Sequence, residues 1–425
     1  MRARYSAVLC AALLLFSLAA LAMFALSSSQ RISPETARAT GFPVIFVDTL
    51  AGKKIGRNNY VSARFELDGI SLGCKIRGRG NTTWETRELY KKPYLLKFDA
   101  PTSLLGMQSA RKWLLIANTA DKAFIRNSYA LHVLSKIWGR MAWVPQGKPV
   151  SLFLNGKYNG SYMLFEKIEA VSGRLELVHG SFLANVNSRQ NKEWNFRTSR
   201  GTKISLRIDS TEEEYLSMQR KVQEAEDAIF ADHGIDRNKR GGYPQKIDID
   251  SFVDWYLINE FTKNHDAKFQ ASCYFYYDAT EDKIFMGPPW DFDISCGNIS
   301  WDGCEKPEGF WVRNDQWYAK LFEYEEFADA VKGRWHETRK QVEESFIWID
   351  REGVQLKTFC ELNDVVWRTI GHRQWPHAPG WKSRKTYESE VAYMKSFLQK
   401  RASWLDGELS EKSNPLLHSC NSGLF

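Results

Sequence analysis

The stretch 259–293 runs Asn259-Glu260-Phe261-Thr262-Lys263-Asn264-His265-Asp266, then an aromatic run, then Met286-Gly287-Pro288-Pro289-Trp290-Asp291-Phe292-Asp293. It sets isolated acids at the ends of regular elements, beside turn-forming residues. Residues 273–277 and 283–286 lie between them and read as a strand pair. A hairpin of that size returns its ends to one place, so Asp266 is expected near Asp291 and Asp293. Carboxylates gathered in this way repel one another unless a cation sits among them. Hard oxygen ligands in small number suit Mg²⁺, which keeps waters and takes its remaining ligands from substrate phosphates. Phosphoryl transfer from a nucleotide is the chemistry that most needs such a metal beside a proton acceptor. Ordinary surface aspartates are the plain alternative, and His265 by itself reads as a satisfied loop histidine.

Working outward, residues 43–49, 61–67, 71–77, 92–98 and 112–117 read as strands, with period-two alternation at 61–67 and a buried run at 112–117. Asp121 to Ile137 reads as an amphipathic helix. Asn155-Gly156 between apolar runs is a strong hairpin signal. Arg77-Gly78-Arg79-Gly80-Asn81-Thr82-Thr83-Trp84 breaks the third strand with residues that let backbone N–H groups face outward, a way to cradle phosphates. Lys97 near a strand end can neutralise phosphates as a point charge. Glu166 ends a strand and, if buried, needs a partner: Lys97, a nucleotide base, or a surface lysine.

Beyond a linker at 170–180 come short β segments at 182–187, 194–198 and 203–208, and a charged helix at 211–231. The capping-box pattern Ser251-Phe252-Val253-Asp254 predicts a helix to about Lys263. Further helices are expected at Glu323–Glu344, Val354–Cys360 and Ser389–Ser410. The chain thus reads as α+β, with a strand-rich part at 31–170 and a mostly helical part at 171–425. Its 425 residues are too many for one small core, so two domains or one large bilobal unit are expected.

Arg2 and Arg4 precede an apolar run from about Ala7 to Leu26, near the length that spans a bilayer. Residues 1–30 read as a signal anchor or a cleaved signal peptide, either of which leaves the bulk of the chain outside the cytoplasm, membrane-anchored or secreted. Removing those two arginines from the 58 basic residues leaves a surplus of five over 51 acids. That weak, dispersed bias argues against nucleic-acid binding, which wants a clustered basic face. Six cysteines follow the apolar run, and Cys296–Cys304 is the disulfide nearest to hand if they pair; free buried thiols are the alternative. Sixteen Trp fit a large aromatic core or a cleft for planar or sugar-like ligands.

Six segments in order resemble the CotH kinase family, the spore-coat protein H type of atypical protein kinase. They are Arg77–Trp84; Lys92-Pro-Tyr-Leu-Leu-Lys97; Leu115-Ile-Ala-Asn-Thr-Ala-Asp-Lys122 with Arg126-Asn127; Leu152–Gly160; Trp255–Glu260 with Lys263-Asn264-His265-Asp266; and Met286–Asp293 with Gly297-Asn298. The resemblance implies a bilobal kinase-like fold and ATP- and Mg²⁺- or Mn²⁺-dependent phosphorylation of serine-rich proteins. By that likeness Asp266 is the catalytic-loop acid, Asp291 the metal-binding acid, Lys97 the phosphate-contacting lysine, and Glu166 lies on the strand leading to the hinge. Arg77, Gly78, Arg79, Gly80 and Asn81 form the nucleotide-covering turn. Ordinary protein kinases place a metal-binding Asn five residues after the base; position 271 here is Ala, so Asp293 or Asn298 is expected to supply that ligand.

Two other readings compete. A carbohydrate-active enzyme would use many Trp and paired acids, but leaves the Gly-rich turn and Lys97 unexplained. A non-catalytic surface, coat or adhesion protein would keep the fold without the chemistry.

Overall fold

The structure, a computed structural model, describes residues 32–86, 89–186, 194–206, 212–231, 242–269 and 271–410. The apolar run of residues 1–30 lies outside them; among the described residues no helix is long and apolar enough to cross a membrane.

Strands β1 (Val44–Thr49), β2 (Val61–Leu67), β3 (Ile70–Gly78), β4 (Tyr94–Thr102), β5 (Ala110–Ile116), β6 (Gly147–Leu154) and β7 (Lys157–Glu166) close into a barrel in the order β1-β2-β3-β4-β5-β7-β6. Ile76, Leu96, Trp113, Leu115 and Leu164 fill its interior. The outward residues Leu95, Leu114, Met163 and Phe165 are buried as well, against the second half of the chain. Strands wanted on both faces cannot leave an open solvated edge, and the parallel pairing of β1 with β6 (Val44↔Ser151) removes it. In place of an evident two-lobed kinase outline the strand-rich part is therefore a closed seven-stranded barrel. Asn155 and Gly156, both at positive φ (50° and 72°), make the β6–β7 turn as the dipeptide predicts.

The second half is α+β in its own right. A five-stranded sheet, β12-β11-β8-β10-β9, combines β8 (Phe182–Val186), β9 (Asn195–Arg197), β10 (Lys203–Leu206), β11 (Cys273–Asp278) and β12 (Lys283–Met286). The β11–β12 hairpin has the register Phe275↔Met286, which brings residue 287 back beside Tyr274 (Gly287 N to Tyr274 O, 2.9 Å). Helices Ile249–Phe261, Glu325–Trp367 and Tyr387–Glu408 enclose a continuous core that also takes in the outer face of the barrel.

Several local expectations shift. The helix ending at Phe261 is capped by Asp248, whose carboxylate accepts from Ser251 N at 2.7 Å, so the Ser251 pattern lies one turn inside it. The helices expected at 323–344 and 354–360 are one 43-residue helix. Gly353 does not break it: a Cβ there would stand 2.9 Å from Val391, so the glycine serves close packing against the C-terminal helix. The helix expected from Asp121 starts at Arg126, because the Asp121 carboxylate accepts from Ala123 N (3.2 Å) and Arg126 N (2.9 Å) and pairs with the Arg126 guanidinium, both side chains fully buried. Its middle, Tyr129–Leu134, is π-helical. Within the stretch 170–180 Arg174 and Leu175 are buried, while most of the other residues are exposed. Cys74, Cys273, Cys296, Cys304 and Cys360 are free thiols, so Cys296 and Cys304 are not joined; burial raises them to about 11 and about 12. Trp113, Trp138, Trp255, Trp317 and Trp335 are core residues, while Trp290, Trp301 and Trp375 line a cavity.

Candidate active site

That cavity, of about 830 Å³, lies between barrel and sheet. Its barrel wall is a cross-strand row. Arg77 of β3 faces Leu95 of β4, Leu95 faces Leu114 of β5, and Leu114 faces Phe165 of β7. One row therefore runs from a guanidinium across two leucines to an aromatic ring. Phe165 meets Trp290 edge-on at 5.6 Å, and the Arg79 guanidinium lies 5.9 Å from the Trp290 ring, so the row is tied to the far wall.

The Gly-rich turn contributes Arg77, Arg79, Gly80 and Asn81 to the lining. Gly80 sits at φ 84°, a conformation that suits glycine. The backbone is less open than its composition suggests: Gly78 N donates to Gly56 O (2.8 Å) and Arg79 N to Pro93 O (3.2 Å). Gly78 is not a lining residue, and a Cβ on it would meet the Trp84 ring at 2.3 Å. Arg57 joins the turn, donating to Asn81 Oδ1 and to Glu85.

The three acids of the opening stretch meet here. Asp266 lies in the short turn His265–Ala267 that succeeds the helix, after Lys263 at φ 48°. Asp291 sits at φ 70° and accepts from Ser272 Oγ at 2.9 Å. Asp293 completes the group on the same wall. Burial raises the Asp293 carboxyl well above the usual range, and the neighbouring Asp291 and Asp266 charges push it further; Arg79 opposes them. All three acids line the one cavity. Among the described residues no three His, Cys, Asp or Glu side chains stand in metal-binding array. Mg²⁺ does not require one: one or two carboxylates with substrate phosphates and waters are its usual set, and Asp291 and Asp293 fit that demand.

The remaining expected residues stand back from the cavity. Lys97 is half-buried two positions along β4 from Leu95, opposite Lys75 and Lys112, with its ammonium 5.9 Å from the Tyr60 ring. Glu166 is buried, but its partners are the Gln108 and Gln146 amides (3.1 and 2.9 Å) and Arg174 at 3.9 Å, not Lys97. Its carboxylate pins loops at the barrel end, while its neighbours Phe165, Lys167 and Ile168 line the cavity. Asn298 is buried and donates to Ala120 O (2.9 Å) and Asp293 O (2.6 Å), so it braces the acid loop rather than lining the cavity.

The loop bearing Asp266 is held from below. Glu260 accepts from Trp311 N and Arg313 N (2.8 Å each) and from the fully buried Arg401 (2.6 Å). Lys263 donates to the carbonyls of Gly303 (2.8 Å), Lys306 (2.9 Å) and Glu308. Residues 259–266 are thus a helix end whose charged side chains are consumed in fixing the turn that carries Asp266.

Sequence reasoning missed Arg57, Asn118, Asn127 and Ser272 as lining residues. Asn127 accepts from Phe292 N at 2.9 Å and so shapes the loop between Asp291 and Asp293; its place in the Arg126-Asn127 pair of the family pattern was the available signal. Arg57 carried none. No curated protein matches the chain. The family model described as CotH kinase protein matches residues 76–405, a span that holds the Gly-rich turn and all three acids, and the chain belongs to the CotH kinase family.

Proposed function

We propose that the chain is an atypical protein serine/threonine kinase: it transfers the γ-phosphoryl group of ATP to a hydroxyl of a secreted or surface protein, with a serine-rich acceptor. The observation that carries this reading is the convergence of Asp266, Asp291 and Asp293 with Arg77, Arg79, Gly80 and Asn81 on one cavity.

In this reading the row Leu95–Leu114–Phe165 receives the apolar face of the base. Arg79 and Arg77 meet the phosphates, and Lys97, behind them on the same barrel face, adds to the positive field. Asp291 and Asp293 would hold Mg²⁺ or Mn²⁺, which when bound neutralises charge developing on the transferred group. Asp266 orients the acceptor hydroxyl and takes its proton as the oxygen attacks phosphorus and the bond to ADP breaks. Residues 1–30 would anchor the chain in a membrane with the described part outside the cytoplasm.

The test is incubation of the chain with γ-labelled ATP, Mg²⁺ or Mn²⁺, and a serine-rich acceptor. Label is expected on serine or threonine, and Asp266→Asn and Asp291→Asn are each expected to lower it by about 10²–10⁴ while remaining folded. Nucleotide binding without label on any acceptor supports the non-catalytic reading instead.

A further inference from the structure

Position 271 is alanine, so the helix-rich half offers no amide where ordinary protein kinases place one. The barrel half does. Asn118 comes just after the end of β5, past Ile116, and lines the same cavity as the three acids. It is 93% buried (7% exposed), and both its Nδ2 and its Oδ1 lack any hydrogen-bond partner. An amide that is buried with donor and acceptor both unmet is costly and rare, and calls for an explanation. Its backbone is also held at φ 49°, a conformation that asparagine tolerates better than most residues.

The segment around it is fixed. Lys91 Nζ donates to Ala117 O at 2.9 Å, and Thr119 Oγ1 donates to Lys91 O at 3.0 Å. Asn298 joins Ala120 O to Asp293 O through one amide nitrogen. Asn118 therefore sits on chain clamped directly to the acid loop. It also belongs to the end of the barrel that bears the Gly-rich turn: Gly78 pairs with Tyr94, Tyr94 with Leu115, and Arg79 N bonds Pro93 O.

We infer that Asn118 is a ligand for the phosphate–cation head of the bound nucleotide, Nδ2 donating to a phosphate oxygen and Oδ1 turned to the divalent cation or its water. A carboxamide carries donor and acceptor side by side, and a metal phosphate presents the matching pair. The inference rests on the kinase reading above, and gives to the barrel a role that the sequence assigned to Asp293 or Asn298.

The experiment is calorimetric binding of Mg²⁺·AMP-PNP and, separately, of adenosine to the full chain and to Asn118→Gly, with melting temperatures of the ligand-free proteins. Glycine keeps the positive φ. Expected is a loss of Mg²⁺·AMP-PNP affinity on the order of 10- to 100-fold, with adenosine binding unchanged and the ligand-free melting temperature within about 3 °C of the parent. Asn118→Asp serves as the second variant: it keeps an oxygen and loses the donor, so its affinity should be weak at low Mg²⁺ and recover as Mg²⁺ is raised. Equal Mg²⁺·AMP-PNP affinity in Asn118→Gly and the parent overturns the assignment, as does an equal loss toward adenosine, which would make Asn118 a base contact. A parent chain that binds neither ligand overturns the kinase reading itself.

Discussion

Nε2 of His265 lies 2.9 Å from Oδ2 of Asp302, an acid 37 residues further along in a different loop. The other ring nitrogen, Nδ1, stands 3.4 Å from Oδ1 of Asp266. The ring is stacked on Trp311 at 5.2 Å, and Trp311 Nε1 donates back to the His265 carbonyl at 3.0 Å. The residue next to the proposed base is thus oriented by a carboxylate from the loop that Lys263 and Arg401 fasten.

Burial alone would pull the His265 pKa down, but hydrogen bonds and charge from Asp266 and Asp302 outweigh it and the net shift is up from 6.5. A histidine raised in the folded state contributes stability that is full below its unfolded value and is lost as pH rises through the folded one. Asp302→Asn should therefore lower the stability below pH 6.5, by no more than about 1 kcal/mol given that Asp302 is exposed. The difference from the parent should shrink toward zero at alkaline pH. A pH series of melting curves for the two proteins reads this directly, and a constant difference across pH would refute it.

Asp293 is shifted in the same direction, but the substitution is expected to act the other way. Its carboxyl is raised, so the folded state holds a proton that the unfolded chain has released, and stability falls as pH climbs from the unfolded value toward the folded one. Asp293→Asn should accordingly stabilise the nucleotide- and metal-free protein at neutral pH, by on the order of 1 kcal/mol, with no gain near pH 3. Mg²⁺ with nucleotide should stabilise the parent more than the variant. Denaturation with and without Mg²⁺·nucleotide at the two pH values checks both halves.

Arg401 is fully buried, pairs with Glu260, and also donates to the carbonyls of Pro307 (2.7 Å) and Gly309 (2.8 Å). Arg401→Leu strands the Glu260 charge and frees that loop. A loss of about 3–5 kcal/mol in urea denaturation is expected, and a loss under 1 kcal/mol would mean that Glu260 is satisfied by the Trp311 and Arg313 amides alone.

Gly78→Ala puts a Cβ 2.3 Å from the Trp84 ring. About 1–3 kcal/mol of destabilisation is expected from the overpacking, with a shift in tryptophan fluorescence as Trp84 moves. An unchanged spectrum and stability would show the turn to be freely adjustable.

Much of this is legible along the chain. Strand β2 announces itself because alternation is a local property, and the Asn155-Gly156 turn because its backbone demand is local. The meeting of Asp266 with Asp291 and Asp293 is legible because one hairpin enforces it. Barrel closure is not: it depends on Val44 finding Ser151 from over a hundred positions away. The continuity of the long helix is not legible because its passage through Gly353 depends on close packing against Val391, far along the chain. Glu166 looks like a lysine partner, yet its shell is two backbone amides and Arg174, which no spacing rule relates to it. Asn118 does not stand out in the sequence because an unmet amide is a fact about neighbours, not about residue order.

A ring of strands with every rung taken has nothing left to lend. Because β1 and β6 seal the barrel, a visiting polypeptide cannot attach to it by extending a sheet, the mode that exposed edges permit. Whatever is held at that wall of the cavity must be gripped by side chains at its mouth, and its recognition will depend on what those side chains can touch rather than on the backbone shape of the visitor.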